Sequence, residues 1–153
     1  MKKIMFVCHG NICRSPMAEF VMKNIINRAG LTEYISVCSS ATSTEEIGND
    51  IHYGTRRILD KYSIPYTCRE ATELRRSDYV KHDLFVGMDS ANIRNMLRIF
   101  GSDPDKKVVK LLDLTDSKRD VADPWYTGNF DVTYDDVREG CAALLQHILN
   151  SEK

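Results

Sequence analysis

The sequence predicts an α/β fold: a doubly wound, three-layer αβα domain built on a four-stranded parallel sheet. Four short apolar runs alternate with four segments of helical character. Strand–helix alternation of this kind marks a parallel sheet covered on both faces. The 153 residues carry 42% hydrophobic and 28% charged side chains, with no repeat, low-complexity tract or linker, so 1–153 reads as one domain with a real core. The first apolar run ends in a loop that leads straight into a well-marked helix start. In such sheets ligands bind beyond the carboxyl ends of the strands, where the strand order reverses.

Each element has its own signal. "KIMFV" (3–7) is an apolar run short enough to be a buried strand. A helix follows, with Ser15 as the expected N-cap, Pro16 at the first helical position and Glu19 in the first turn. Its apolar face is Met17, Phe20, Val21 and Ile25, and Gly30 supplies the stop. "YISVCS" (34–39) is the second strand, and "SATSTEEIGND" (40–50) is a polar loop. Asp50 is the expected cap of a helix over 51–62. "DLFVGMD" (83–89) is the third strand, with Asp89 or Ser90 capping a helix to about Ile99. "KVVKLL" (107–112) is the fourth strand. A long loop, 113–130, precedes a last helix over 131–150 with Val137, Cys141, Leu144, Leu145 and Ile148 on one face. Loops of this length are commonly functional or disordered.

Composition narrows the function. Net charge is −1, which gives no strong pull toward nucleic acid or membrane. The apolar run in "MKKIMFVCHG" stops at Cys8, too soon for a signal peptide, and the chain reads as cytoplasmic. The five cysteines (8, 13, 38, 68, 141) are odd in number and lack Cys-x-x-Cys spacing. A disulfide framework and a zinc finger are both poorly supported, which leaves reduced thiols and room for one reactive one. A metal held by Cys8, His9 and Cys13 lacks a fourth ligand, so no metal and no cofactor is expected.

The chemistry concentrates in "VCHGNICRSPMAE" (7–19). Cys, five residues, Arg is a weak pattern by itself, given five Cys and eleven Arg. Its context is what counts. A strand-to-helix loop converges backbone N–H groups on an anion, and the helix dipole favours negative charge there. Gly10 allows a tight turn. Arg14 offers a planar fork that matches two phosphate oxygens. The same field favours the thiolate of Cys8, the nucleophilic form, and Ser15 is placed to donate to it. The bland alternative is an inert buried Cys8 and an Arg14 on the surface.

This stretch resembles the phosphate-binding loop of the low-molecular-weight protein tyrosine phosphatases. That family carries Cys-x-Gly-Asn-x-Cys-Arg-Ser-Pro-x-Ala-Glu directly after its first strand. Other Cys-based tyrosine phosphatases place their loop late in the chain. "DPWY" (123–126) resembles the family's Asp-Pro segment before the last helix, "VCSSAT" (37–42) its Val-x-Ser-Ala-Gly-Thr segment, and "FVGMD" (85–89) its third strand end. The resemblance covers about residues 3–150 and implies a four-stranded parallel sheet. It also implies a two-step phosphate monoester hydrolysis through a cysteinyl-phosphate. Cys8 is then the nucleophile, Arg14 and the loop amides hold the phosphoryl oxygens, and Asp123 is general acid and then base. Taken alone, Asp123 reads as a turn residue before Pro124.

Carried over residue by residue, substrate contacts fall on His9, Gly10, Asn11, Ile12, Cys13 and Ser15, with Trp125 and Tyr126 as aromatic walls and Ser39 bracing Asn11. Ordinary packing is the alternative for both aromatics. Cys13 is the expected redox partner of Cys8, against the plainer reading of a small buried residue. Cys38, Cys68 and Cys141 read as core or surface, and His9 as a rim residue rather than a base. The implied partners are a phosphotyrosine protein and inorganic phosphate or other oxyanions, with the chain a monomer.

Three departures bear on substrate choice. Glu45 falls where an aromatic wall is common, Ala41 where Gly is common, and Trp125 where Tyr is. Arsenate reductase, on the same scaffold, needs two further cysteines near the third strand, and residues 69–140 contain none. A protein arginine phosphatase of the same family carries Thr after the loop asparagine, whereas Ile12 stands here. A phosphate-binding module without catalysis predicts loss of Cys8 or Asp123, and both are present.

Overall fold

The structure, a computed structural model, describes residues 1–151. Its strands are β1 (Lys2–Cys8), β2 (Ile35–Ala41), β3 (Leu84–Gly87) and β4 (Val108–Lys110). Its helices are α1 (Arg14–Arg28), α2 (Tyr53–Lys61), α3 (Ser90–Phe100), α4 (Pro124–Thr127) and α5 (Phe130–Ser151). All strand pairs are parallel, in the order β2-β1-β3-β4. The chain therefore winds one way from β1 to β2 and the other way from β3 to β4. The reversal lies between β1 and β3, and a ligand site is expected above their carboxyl ends.

Alternation along β1 splits the core into two layers. Ile4, Phe6 and Cys8 join the larger cluster with Met17, Met22, Ile58, Val137 and Leu144 of α1, α2 and α5. Met5 and Val7 face the other way, against Leu74, Phe85, Met96 and Phe100. Phe6 and Phe85 are fully buried on opposite faces, and truncating either to Ala costs about 3–5 kcal/mol. Among the described residues no helix is long and apolar enough to cross a membrane.

The expected strands, helices and parallel sheet are present, but several helix ends differ from the sequence reading. Helix α1 begins at Arg14 with Cys13 as N-cap and no side-chain cap, so Ser15 lies inside the helix and Glu19 falls beyond its first turn. The Ser15 hydroxyl is engaged with Cys8 and Asn11 instead of capping amides. Helix α2 is capped by His52, whose Nδ1 accepts from Gly54 N–H, and not by Asp50. Asp50 Oδ1 takes the N–H groups of Ile51 and Arg69. The fourth strand stops at Lys110, and Leu111–Leu114 continue as a 3-10 turn. The long loop contains α4, one helical turn capped by Asp123, and a further 3-10 turn lies over Arg76–Lys81.

Candidate active site

Cys8 ends β1, and the backbone of residues 9–13 wraps from it into α1. Five carbonyls of the Cys8–Cys13 stretch are engaged by groups outside it. Cys8 O accepts from Thr42 N–H (3.0 Å), His9 O from Ser43 N–H (3.1 Å) and Ile12 O from His52 N–H (2.9 Å). Cys13 O accepts from Thr55 Oγ1 at 3.1 Å, and Asn11 O from the Arg69 guanidinium. Peptide planarity sets each N–H opposite the preceding carbonyl. Fixing these carbonyls outward turns the following amides inward, and Asn11 N–H also points in, at Cys8 Sγ (3.4 Å). Ser15 Oγ is 3.0 Å from the same sulfur. Together with the α1 N-terminus these groups favour an anion bound above the sulfur.

The turn at the centre of the loop differs from the sequence reading. The tight turn expected at Gly10 is made by Asn11, which with φ of 61° takes the left-handed conformation. Asparagine tolerates it because its side chain bonds locally. Asn11 Nδ2 donates to Ser15 Oγ (2.8 Å) and Ser39 Oγ (2.9 Å), and Oδ1 accepts from Thr72 N–H (3.2 Å). Ser39 in turn donates to Glu19 Oε1 at 2.6 Å. Gly10 matters for close approach instead, because a Cβ there would lie 3.3 Å from Glu46 Cγ.

Arg14 is buried beneath the cleft. Its Nη1 donates to Asp89 Oδ2 (2.7 Å) and Val121 O (2.8 Å), and its Nη2 to Asp123 Oδ2 (3.4 Å). Burial disfavours the cation, but Cys8, Asp89 and Asp123 outweigh it and hold the guanidinium above its ordinary pKa. Asp89 follows β3 and caps α3 with its other oxygen. The switch point thus places a β1 thiol, an α1 guanidinium and a carboxylate from beyond β3 side by side.

A cleft of about 100 Å³ opens over this floor, lined by Cys8, His9, Gly10, Ile12, Cys13, Arg14, Glu45, Glu46, Asp123, Trp125 and Tyr126. Residues more than a hundred positions apart therefore share one cavity. Asn11, Ser15 and Ser39 lie behind it as braces and not as lining. Glu45 stands on the wall and pairs with His9 Nε2 at 3.0 Å, so one side of the mouth is polar. Trp125 and Tyr126 form the other side and are largely exposed. Burial first, then the neighbouring Cys8 and Asp123, push the Cys13 thiol up to about 12. Among the described residues no group of three or more His, Cys, Asp or Glu side chains is placed to hold a metal ion.

Four contributors carried too little sequence signal to be assigned. Asp89 reads only as a helix cap. Arg69 and Thr72 lie in an irregular segment with no periodicity. His52 reads as one more residue of a helix, although it ties α2 to the loop.

The chain's likeness to known proteins agrees with this geometry. A Bacillus subtilis protein, low molecular weight protein-tyrosine-phosphatase YfkJ, is 35% identical over 150 residues, 97% of this chain and 96% of that one. The solved structure of YfkJ superposes with a TM-score of 0.96 at 34% identity, covering 100% of this chain and 98% of that one. The solved low molecular weight protein tyrosine phosphatase of Streptococcus pyogenes gives 0.86 at 41% identity, covering 96% and 93%. The family profile described as "Low molecular weight phosphotyrosine protein phosphatase" matches residues 3–153, the whole stretch that holds the thiol, the guanidinium and the carboxylate, and the chain belongs to that family.

Proposed function

We propose that the protein is a cysteine-dependent protein tyrosine phosphatase that hydrolyses phosphotyrosine and small aryl phosphates. One observation carries it: Cys8, Arg14 and Asp123 converge on a single cleft with an aromatic rim. In the first step the Cys8 thiolate attacks phosphorus and the P–O bond to the phenol breaks. Asp123 gives its proton to the leaving oxygen. Arg14 and the inward amides hold the equatorial oxygens, where charge develops in the transition state. In the second step water attacks phosphorus, the Asp123 carboxylate takes the water's proton, and the S–P bond breaks to return the thiolate and phosphate.

Trp125 and Tyr126 are suited to a phenyl ring, and Ile12 in the lining favours phosphotyrosine over the arginine-phosphatase branch. Inorganic phosphate is the product and a competitive occupant of the floor.

The test is turnover of p-nitrophenyl phosphate in the presence of EDTA. Wild type is active, Cys8→Ser is inactive, and Asp123→Ala is slowed by about 10²–10⁴-fold, the usual range for a lost general acid. Metal-dependent activity that survives Cys8→Ser overturns the reading.

Cys13 adds a reversible oxidation route. Peroxide converts the Cys8 thiolate to a sulfenic acid, and the Cys13 thiol condenses with it, releasing water and forming a disulfide. Burial keeps Cys13 protonated and unreactive until that acid forms. Cys13→Ser is expected to lose the activity that dithiothreitol restores after peroxide; full recovery in that variant removes Cys13 from the route.

A further inference from the structure

His52 lies behind the cleft and touches two of its parts, the phosphate loop and the aromatic rim. Its N–H donates to Ile12 O in the phosphate loop at 2.9 Å. Its Nδ1 accepts from Gly54 N–H at 3.0 Å and caps α2. Its ring stacks with Tyr53 (centroids 4.5 Å apart, 28°) and with Phe130, the first residue of α5 (5.2 Å, 12°). Trp125 of α4 meets the ring edge-on at 5.6 Å and 75°. Trp125 N–H donates to Asp123 Oδ1 at 3.0 Å.

We propose that His52 is a positioning residue: its backbone grips the phosphate loop while its ring, between Phe130 and Trp125, fixes the short helix that aims the Asp123 carboxylate. The inference rests on the reading of Asp123 as general acid.

The α4 segment needs such an anchor. It is one helical turn between Asp123 and Gly128, and of its residues only Pro124 is buried. Too short to hold itself, it is fixed at its ends. At one end Arg14 holds Asp123. At the other, Phe130 lies so close to α2 that a Cβ on Gly54 would come within 2.5 Å of its ring. The His52 ring joins this second anchor to Trp125.

Its chemistry suits a structural part more than a proton carrier. Accepting at Nδ1 puts the proton of the neutral ring on Nε2, and burial followed by Arg56 holds its pKa below the ordinary histidine value, against a smaller opposing pull from Glu46. The ring is therefore neutral at pH 7, as stacking and capping require.

The experiment compares aryl phosphates whose leaving phenols range from strongly to weakly acidic. A weakly acidic phenol needs the Asp123 proton; a strongly acidic one leaves without it. His52→Asn keeps a capping oxygen but removes the ring, and His52→Phe keeps a ring but removes the cap.

In His52→Asn, kcat/KM for phenyl phosphate is expected to fall about tenfold more than for 2,4-dinitrophenyl phosphate, a partial loss of general-acid catalysis. His52→Phe recovers most of this difference. In an Asp123→Ala background His52→Asn adds no further selective loss, because the group it aims is gone. Trp125 is the single tryptophan, so its fluorescence anisotropy reports the anchor directly and is expected to drop in His52→Asn.

Equal loss on both substrates, the same selective loss in the Asp123→Ala background, or an unchanged anisotropy overturns the proposal. Absence of turnover by wild type, by contrast, fails the phosphatase reading itself.

Discussion

Cys8 and Tyr126 line the same cleft, yet Cys8 is 3% exposed and Tyr126 84%. The floor, residues 8–15, is buried apart from His9 and Gly10. Five of its carbonyls, the Asn11 amide and the Arg14 fork are each bonded to a group outside the loop. The rim, residues 123–130, is one helical turn held at its two ends by an ion pair and a ring stack. The floor must present amides and a cation to a tetrahedral oxyanion at fixed places, and any misfit is lost in rate. The rim must accept an aromatic ring attached to a peptide, a looser requirement. The contrast predicts that floor substitutions cost both stability and rate, whereas substitutions of the exposed rim aromatics cost binding of the aryl group.

The largest effect is expected at Asp89. Asp89→Ala leaves the Arg14 cation without its shortest partner and removes the α3 cap. Breaking a buried pair costs on the order of 3 kcal/mol here, the low end of the usual range because Asp89 is partly exposed. Denaturant unfolding should show that loss, and kcat/KM should fall as Arg14 loses its aim. Asp89→Asn keeps the capping oxygen but loses the charge, so it should recover about the 1 kcal/mol of the cap and little of the rate. Full recovery by Asn would show that Asp89 serves α3 and not Arg14.

Asn11→Ala follows. It removes three hydrogen bonds of a buried side chain and leaves Ala in a left-handed conformation. A loss of about 2–3 kcal/mol is expected, with a fall in kcat because Ser15 loses its orientation toward Cys8. Asn11→Gly relieves the backbone but not the bonds, so the difference between the two variants separates strain from bracing.

Gly54→Ala tests the junction of floor and rim. The new methyl meets the Phe130 ring at 2.5 Å, and overpacking of this kind costs about 1–3 kcal/mol. Because Phe130 anchors α4, the variant should also lose general-acid catalysis, seen as a selective drop on phenyl phosphate. A stability loss with no such drop would detach the α2–α5 contact from the rim.

The sheet and the floor's reacting groups were legible for physical reasons. Strand runs such as "IMFV" (4–7) are buried on both faces and read as continuous apolar sequence. Cys8 and Arg14 lie in one short loop, so spacing and a helix start were enough to join them. The missed features depend on what arrives from elsewhere. Ser15 is a good N-cap by type, but Cys8 and Asn11 compete for its hydroxyl, and the helix starts earlier. Asp50 lost the cap of α2 because Arg69 and Ile51 occupy its oxygen, which left His52 to serve. Gly10 looked like the flexible point, but the side-chain bonds of Asn11 stabilise the left-handed turn there instead. Asp89 was visible as a cap because capping is local; its bond to Arg14, 75 positions away, is not.

The smallest stability effect is expected at Tyr126. Its ring is 84% exposed, so Tyr126→Ala should change stability by no more than about 0.5 kcal/mol. Its contribution is area offered to a substrate ring, present in ground state and transition state alike. Losing such uniform binding raises KM and leaves kcat unchanged. A stacked or edge-on aromatic contact contributes about 0.5–1.5 kcal/mol, so KM for p-nitrophenyl phosphate should rise several-fold. Inorganic phosphate has no ring, and its inhibition constant should stay at the wild-type value. Asn11→Ala should weaken both ligands, because the oxyanion cradle serves each of them. If Tyr126→Ala weakens phosphate as much as the aryl ester, the rim is shaping the floor, and the two regions are a single mechanical unit.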